Sequence, residues 1–175
     1  MSQSAVQENP MRRIEVGKVV VNIGLGKSGE AIERGKRVLE QVTGQQPSQR
    51  RARKSVRDFG IHKGEPIGVM VTTRGEGTHA LIEKLLVARE KKMNESSFDP
   101  KGSVSFGVKE HIEIPGIRYD PAIGILGMNV SVLLERPGYR VARRGRRASR
   151  VGKGHVVSRE EAMEYFRSNF GVTIS

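Results

Sequence analysis

Val16-Gly-Lys-Val-Val-Val-Asn-Ile-Gly-Leu-Gly-Lys-Ser-Gly29 is a β-branched run that ends in a glycine turn, and the reading of that turn decides the fold. Residues 16–23 read as a strand. Residues 29–43 follow with Ile32, Val38, Leu39 and Val42 near helical spacing, and Gly44 stops them. Gly24, Gly26 and Gly29 match the G-x-G-x-x-G pattern of a dinucleotide-binding turn, which would imply a parallel α/β fold. Such a site also needs an acidic residue about 20 positions further on to hold the ribose, and residues 45–57 contain no Asp or Glu. A nucleoside-triphosphate loop fits no better, because the glycine expected five places before Gly26 falls at Val21. The segment is read as a tight turn whose amides, with the helix start, could still take an RNA phosphate.

Outward from this segment the chain alternates strands and helices. Residues 67–73 (I-G-V-M-V-T-T) read as a strand and residues 78–92 as a helix with Leu81, Ile82, Leu85 and Leu86 on its apolar face. Residues 104–108 form a strand beside the turn Asp99-Pro-Lys-Gly102, residues 111–114 alternate as a further strand, and residues 127–134 (G-M-N-V-S-V-L-L) alternate too. Ser158 and Glu161 form a capping box for a helix that runs to Asn169 and is closed by Gly171, with Ala162, Phe166 and Phe170 as its docking face. The expected fold is α+β, an antiparallel sheet with helices on one face. The expected organisation is a flexible terminus over residues 1–10, one domain over 11–135 containing a basic loop at 50–64, and an Arg-rich extension over 136–175 that ends in the docking helix.

The charge is unevenly placed. The chain has 31 Lys and Arg against 19 Asp and Glu, and residues 50–57 with 136–153 hold thirteen of the cations and none of the acids. The rest is close to neutral. Uncompensated Arg runs attract polyanions and gain affinity by releasing counterions, so nucleic acid is the expected partner. Aromatic residues make up only 5% and there is no Trp, so phosphate contact and shape should outweigh base stacking.

Other classes find little support. With no Cys there is no thiol chemistry and no thiolate metal site, which fits a reducing cytosol. No run of 18 apolar residues and no signal-peptide pattern occurs, so neither membrane insertion nor secretion is expected. His62, His79, His111 and His155 are scattered, Ser55 and Ser149 have no nearby base, and Glu160, Glu161 and Glu164 suit a solvated helix start. Neither an enzyme nor a cofactor is expected.

Seven short motifs then occur in a telling order: K-V-V-V-N-I-G-L-G at 18–26, T-G-Q-Q-P at 43–47, A-R-K-S at 52–55, K-G-E-P-I-G at 63–68, V-T-T-R-G-E at 71–76, F-D-P-K-G-S-V-S-F-G-V-K-E at 98–110 and I-P-G-I-R-Y-D at 114–120. Together, over residues 11–175, they resemble the L-five family of large-subunit ribosomal proteins. E-R-P-G-Y-R-V-A-R-R at 135–144, followed by a terminal helix, resembles its archaeal and eukaryotic branch. The resemblance implies a cytoplasmic protein of the ribosome's central protuberance, with 5S rRNA, large-subunit rRNA, peptidyl-site transfer RNA, small-subunit protein S-thirteen and large-subunit protein L-eighteen as partners. A free RNA-binding regulator or a ribosome-assembly factor is the alternative.

The resemblance also implies site residues. It carries 5S rRNA contact to Asn22, Gln45 and Thr72, uncharged groups that would lie on the open sheet face and at strand ends; for Asn22 the alternative is an amide bonded to nearby backbone. Arg12, Arg13, Lys18 and Arg74 are candidate phosphate contacts around them. Residues 50–64 read as an extended, mobile loop that would reach transfer RNA through Arg53, Lys54, Ser55, Arg57, Phe59 and His62. Residues 136–153 repel themselves and are expected to order only against RNA, as a clamp. Its contacts would be Arg136, Tyr139, Arg140, Arg143 and Arg144, then Arg146, Arg147, Arg150 and Lys153.

Overall fold

Alternation along β1 (Glu15–Gly24) sends Val19, Val21 and Ile23 to one side, where each is at most 1% exposed. The computed structural model describes residues 9–26, 28–117 and 120–175. Lys27 of the glycine turn, Arg118 and Tyr119 of the I-P-G-I-R-Y-D motif, and residues 1–8 of the expected flexible terminus lie outside the described residues. After β1 come α1 (Glu30–Thr43), β2 (Ser48–Arg51), β3 (Pro66–Thr73), α2 (Gly77–Val87), β4 (Lys92–Met93), β5 (Ser103–Val108), β6 (Met128–Glu135), α3 (Arg140–Arg143), α4 (Arg159–Phe170) and β7 (Thr173–Ile174). Five strands form one sheet in the order β2-β3-β1-β6-β5, every pairing antiparallel, while β4 and β7 form a separate small parallel pair. The fold is α+β, as the alternation and the failed nucleotide fingerprint predict.

The inward residues of the sheet meet Ile32, Val38 and Leu39 of α1, Leu81, Ile82, Leu85 and Leu86 of α2, and Phe166 and Phe170 of α4 in one apolar cluster. Phe166 is fully buried, edge-on to Phe98 at 5.8 Å and 5.3 Å from the Phe170 ring. The capping box of α4 is formed, Glu161 N–H donating to Ser158 Oγ and Ser158 N–H to the Glu161 carboxylate, and Gly171 closes the helix in the left-handed conformation at φ 62°.

Four segments depart from the sequence reading. Residues 111–114 form a 3-10 turn, His111–Glu113, with His111 and Ile114 buried and Glu113 exposed, a spacing of three. The imidazole Nδ1 of His111 accepts from Leu126 N–H at 3.3 Å, so the ring braces the long β5–β6 connection. Helix α2 ends five residues early: Glu90 and Lys91 take positive φ, and the Arg89 guanidinium donates to the carbonyls of Lys92 (3.0 Å) and Gly107 (2.9 Å), turning the chain into β4. The first basic segment begins as a sheet edge, since Arg50 and Arg51 belong to β2. The second turns back on itself after α3, with its root at Arg136 and Tyr139 packed on the globule.

Since α4 joins the main core through Phe166, Phe166→Ala should destabilise the whole protein by about 3–5 kcal/mol, the usual result of emptying a buried aromatic site. Urea unfolding followed by circular dichroism measures this. A loss below about 1 kcal/mol would make α4 a peripheral attachment.

Candidate nucleic-acid interface

The strand periodicity that fills the core leaves the other sheet face without a helix layer among the described residues. Across it Asn22 stands between Met70 and Asn129, Val20 between Thr72 and Ser131, and Ser131 opposite Ser105. Lys18 lies opposite Leu133, and Ser48 of the edge strand opposite Met70. The face is therefore mainly uncharged: amides and hydroxyls around a small apolar centre of Val20, Met70 and Leu133. Among the described residues only Ser105 and Ser131 bond to each other here, Oγ to Oγ at 3.0 Å. Asn22 is half-buried on this face rather than tied to backbone. Asn129, Ser131 and Ser105 were not singled out from the sequence, although the parity of M-N-V-S-V places the first two opposite the buried valines.

Gln45 does not join this face. It follows the C-cap of α1, is exposed, and accepts from Thr73 Oγ1 at 3.4 Å, so it is not at a strand end. Arg12, Arg13 and Arg74 are exposed at the sheet end where Glu15 pairs with Glu135, while Lys18 is half-buried on the open face beside them. Arg13 has a 4.0 Å contact to Glu15, a solvated pair of little consequence.

At the opposite end of the sheet, residues 52–65 form a hairpin. Ala52 N–H donates to Glu65 O and Gly64 N–H to Ala52 O, while Val56 and Ile61 exchange both backbone bonds. A 3-10 turn, Arg57–Phe59, makes the tip, and the Phe59 ring there is 76% exposed. Arg53, Lys54 and Arg57 are exposed. Ser55 and His62 contribute to the hairpin itself: Ser55 Oγ accepts from Lys63 N–H at 2.9 Å, and His62 N–H donates to the Glu65 carboxylate at 3.0 Å. Ser28 Oγ donates to the other Glu65 oxygen at 2.7 Å, clasping the hairpin to the glycine turn after β1. β1 is ten residues long, so the two ends of the face are roughly 30 Å apart.

The Arg-rich segment leaves β6 at the other end and its root is internal structure. Arg136 is 8% exposed and donates to Glu161 at 2.6 Å and to Gly154 O at 3.4 Å, so it is not available as a clamp contact. The Tyr139 hydroxyl donates to His155 O at 3.2 Å and accepts from Val157 N–H at 3.1 Å. Arg143 pairs with Glu135. Glu161 thus has one oxygen on the cap of α4 and the other on Arg136. Partial burial pushes its carboxyl up, but the Ser158 amide and the Arg136 charge outweigh that and hold it below the ordinary range. Arg140, Arg144, Arg146, Arg147, Arg150 and Lys153 remain exposed.

Among the described residues no group of three or more His, Asp or Glu could hold a metal, and no helix is long and apolar enough to cross a membrane. The arrangement is a neutral polar platform about 30 Å long with a cationic group at each end, a geometry suited to a folded polyanion.

Comparison with known proteins agrees. Residues 9–62 match the family model for ribosomal protein L5, and residues 66–165 match the model for the C-terminus of the same ribosomal family. The boundary between the two falls in the basic hairpin, yet their strands interleave in one sheet. The chain is 49% identical over its full length to the large ribosomal subunit protein uL5 of Nitrosopumilus maritimus, also covered in full. It is 51% identical to that of Pyrobaculum aerophilum, over 97% of this chain and 94% of the relative, and 49% identical to that of Sulfurisphaera tokodaii, over 95% and 94%.

The hairpin clasp makes a pH prediction. The amide of His62 and the hydroxyl of Ser28 hold the Glu65 carboxyl below its usual value. A depressed folded pKa means that the clasp is complete above the unfolded value of about 4.3 and is lost as pH falls through the lower folded value. The Glu65 carboxyl carbon, followed by NMR, should titrate below about 4.3; a midpoint at or above that would show that the clasp does not form in solution.

Proposed function

The chain belongs to the ribosomal protein L5 family, as a structural protein of the large ribosomal subunit and not an enzyme, and on that premise we propose that its open sheet face anchors 5S rRNA in the central protuberance. The supporting observation is the uncharged face, with Asn22, Thr72, Asn129 and Ser131 presented outward between two separated cationic ends. Such donors and acceptors suit sugar and base edges, which report RNA shape, whereas cations secure phosphates. The exposed part of the Arg-rich segment supplies phosphate contacts to ribosomal RNA at the Glu135 end. The basic hairpin, projecting at the far end, contacts peptidyl-site transfer RNA through Arg53, Lys54 and Arg57, with Phe59 at its tip. Small-subunit protein S-thirteen and large-subunit protein L-eighteen are the proposed protein neighbours, on family resemblance.

The two kinds of contact separate by salt. Asn22→Ala or Thr72→Ala should each weaken 5S rRNA binding by roughly 1–3 kcal/mol with an unchanged salt slope. Neutralising Arg144, Arg146, Arg147 and Arg150 should instead flatten log K against log salt by about 3, at 0.7 to 0.9 per phosphate. Filter binding at several salt concentrations measures both; full affinity in both alanine variants would remove the sheet face from the interface.

The hairpin should act later, in translation. With Arg53, Lys54 and Arg57 all replaced by Ala, the protein should still enter large subunits, and peptidyl-site transfer RNA should leave the variant ribosomes faster, by roughly 10- to 100-fold if each solvated phosphate contact contributes about 0.5 to 1 kcal/mol. Toeprinting with purified subunits reads this. Failure of incorporation with normal transfer RNA retention would mean that the two basic segments have exchanged roles.

A further inference from the structure

Glu135 is in an unexpected place: an acid only 9% exposed, at the root of the most cationic segment of the chain. If that segment served only to attract a polyanion, a carboxylate here would oppose it and would carry a desolvation penalty as well. Room for the side chain is made on the neighbouring strand. A Cβ on Gly17 would lie 2.6 Å from Glu135 Cδ, and the β1–β6 register shifts between Val16 and Lys18 at this point. One oxygen, Oε2, pairs with Arg143; the other, Oε1, is buried without a partner among the described residues.

What Arg143 holds in turn is the shape of the segment. It ends α3, after which Arg144 N–H donates to Arg140 O at 2.9 Å, Arg144 Nε to Arg147 O at 2.8 Å, and Ser149 N–H to Val141 O at 3.1 Å. Residues 140–150 are thereby folded back on themselves with Arg140, Arg144, Arg146, Arg147 and Arg150 pointing to solvent. An Arg- and Gly-rich run left to itself would extend by self-repulsion. The Arg136–Glu161 pair and Tyr139 fix where the segment leaves the globule, but they stop short of this turn.

We propose that Glu135 is a positioning residue: seated over Gly17, it holds Arg143 and keeps residues 140–150 folded in the form that meets RNA before RNA arrives. The proposal rests on the reading that this segment binds ribosomal RNA, and it makes an unusual prediction of sign. Glu135→Gln makes the chain one charge more positive, so charge alone would tighten RNA binding; loss of the latch would weaken it.

The test uses the full chain. In free Glu135→Gln protein, limited trypsin cleavage after Arg144, Arg146 and Arg147 should accelerate about tenfold relative to wild type while the remaining globule stays resistant. If the folded fraction of the segment drops to about one tenth, affinity for 5S rRNA should fall by about the same factor. Unchanged cleavage, or faster cleavage with equal or tighter binding, overturns the proposal. Hydrogen exchange on wild type guards against a variant that misfolds: the Ser149 amide should be protected without RNA, and exchange there at the unfolded rate overturns the latch by itself. A parallel titration with fragments of large-subunit rRNA separates the two readings, because failure of wild type on 5S rRNA alone would refute the assignment of that partner and leave the latch to be judged on the fragments.

Discussion

Everything else in the molecule depends on the register of β1 between β3 and β6. Val19, Val21 and Ile23 can be buried only if Val20 and Asn22 face the other way, and a slip of one residue would bring Asn22 into the core. The register is held tightly at the Gly24 end, where a Cβ on Gly68 would lie 2.8 Å from the Ile23 carbonyl, so only glycine allows β3 to come so close. Once the register is set, so are the places where the chain leaves the sheet. The basic hairpin departs beside Gly68, and the Arg-rich segment departs after Glu135.

That separation has an electrostatic consequence. Both cationic groups lie near the ends of a face that is itself almost uncharged, and at physiological salt they are several screening lengths apart, about 8 Å each. Each acts as an independent attractor, and repulsion between them is negligible. Within the Arg-rich segment repulsion does matter, and there the globule supplies Glu161 and Glu135 as internal counterions for Arg136 and Arg143. Placing Glu161 in the first turn of α4 gives one carboxylate three favourable interactions, with the Ser158 amide, the helix dipole and the Arg136 guanidinium. The terminal helix is thus fastened to the Arg-rich root by charge and to the core by Phe166.

The elements legible in the sequence were those whose burial alternates or repeats within one segment: β1, β3, β5, β6, α1, and α4 with its capping box. β2 was not legible because Ser-Gln-Arg-Arg has no apolar side; an edge strand with all four residues exposed leaves no periodic signal. The end of α2 escaped because it is fixed by Arg89 reaching the Gly107 carbonyl, a contact between residues 18 positions apart. His111 to Ile114 alternates on paper, yet buries with a period of three and has no partner strand among the described residues. The candidate site divides in the same way. Asn22 and Thr72 follow from alternation once one face is known to be open, whereas Arg136 resembles its free neighbours in any count along the chain. Only the fold reveals that Glu161, 25 residues later, has taken it inside.

On the proposed reading, the low aromatic content becomes part of the recognition. Among the described residues, the rings other than Phe59 at the hairpin tip are largely committed to the core and to the Tyr139 joint, leaving little there to stack on splayed bases. A neutral face reads hydrogen-bonding groups over a short range, and the two cationic ends read phosphates at a separation set by the length of β1. An RNA satisfies all three only if its backbone is folded to bring phosphates to both ends while a grooved surface lies across the sheet between them. Specificity of this kind resides in RNA shape more than in base identity, and it requires a rigid gauge. The antiparallel sheet provides that gauge, and it explains why the hairpin is laddered and the Arg-rich root is buried: flexible attachments would blur the distance being measured.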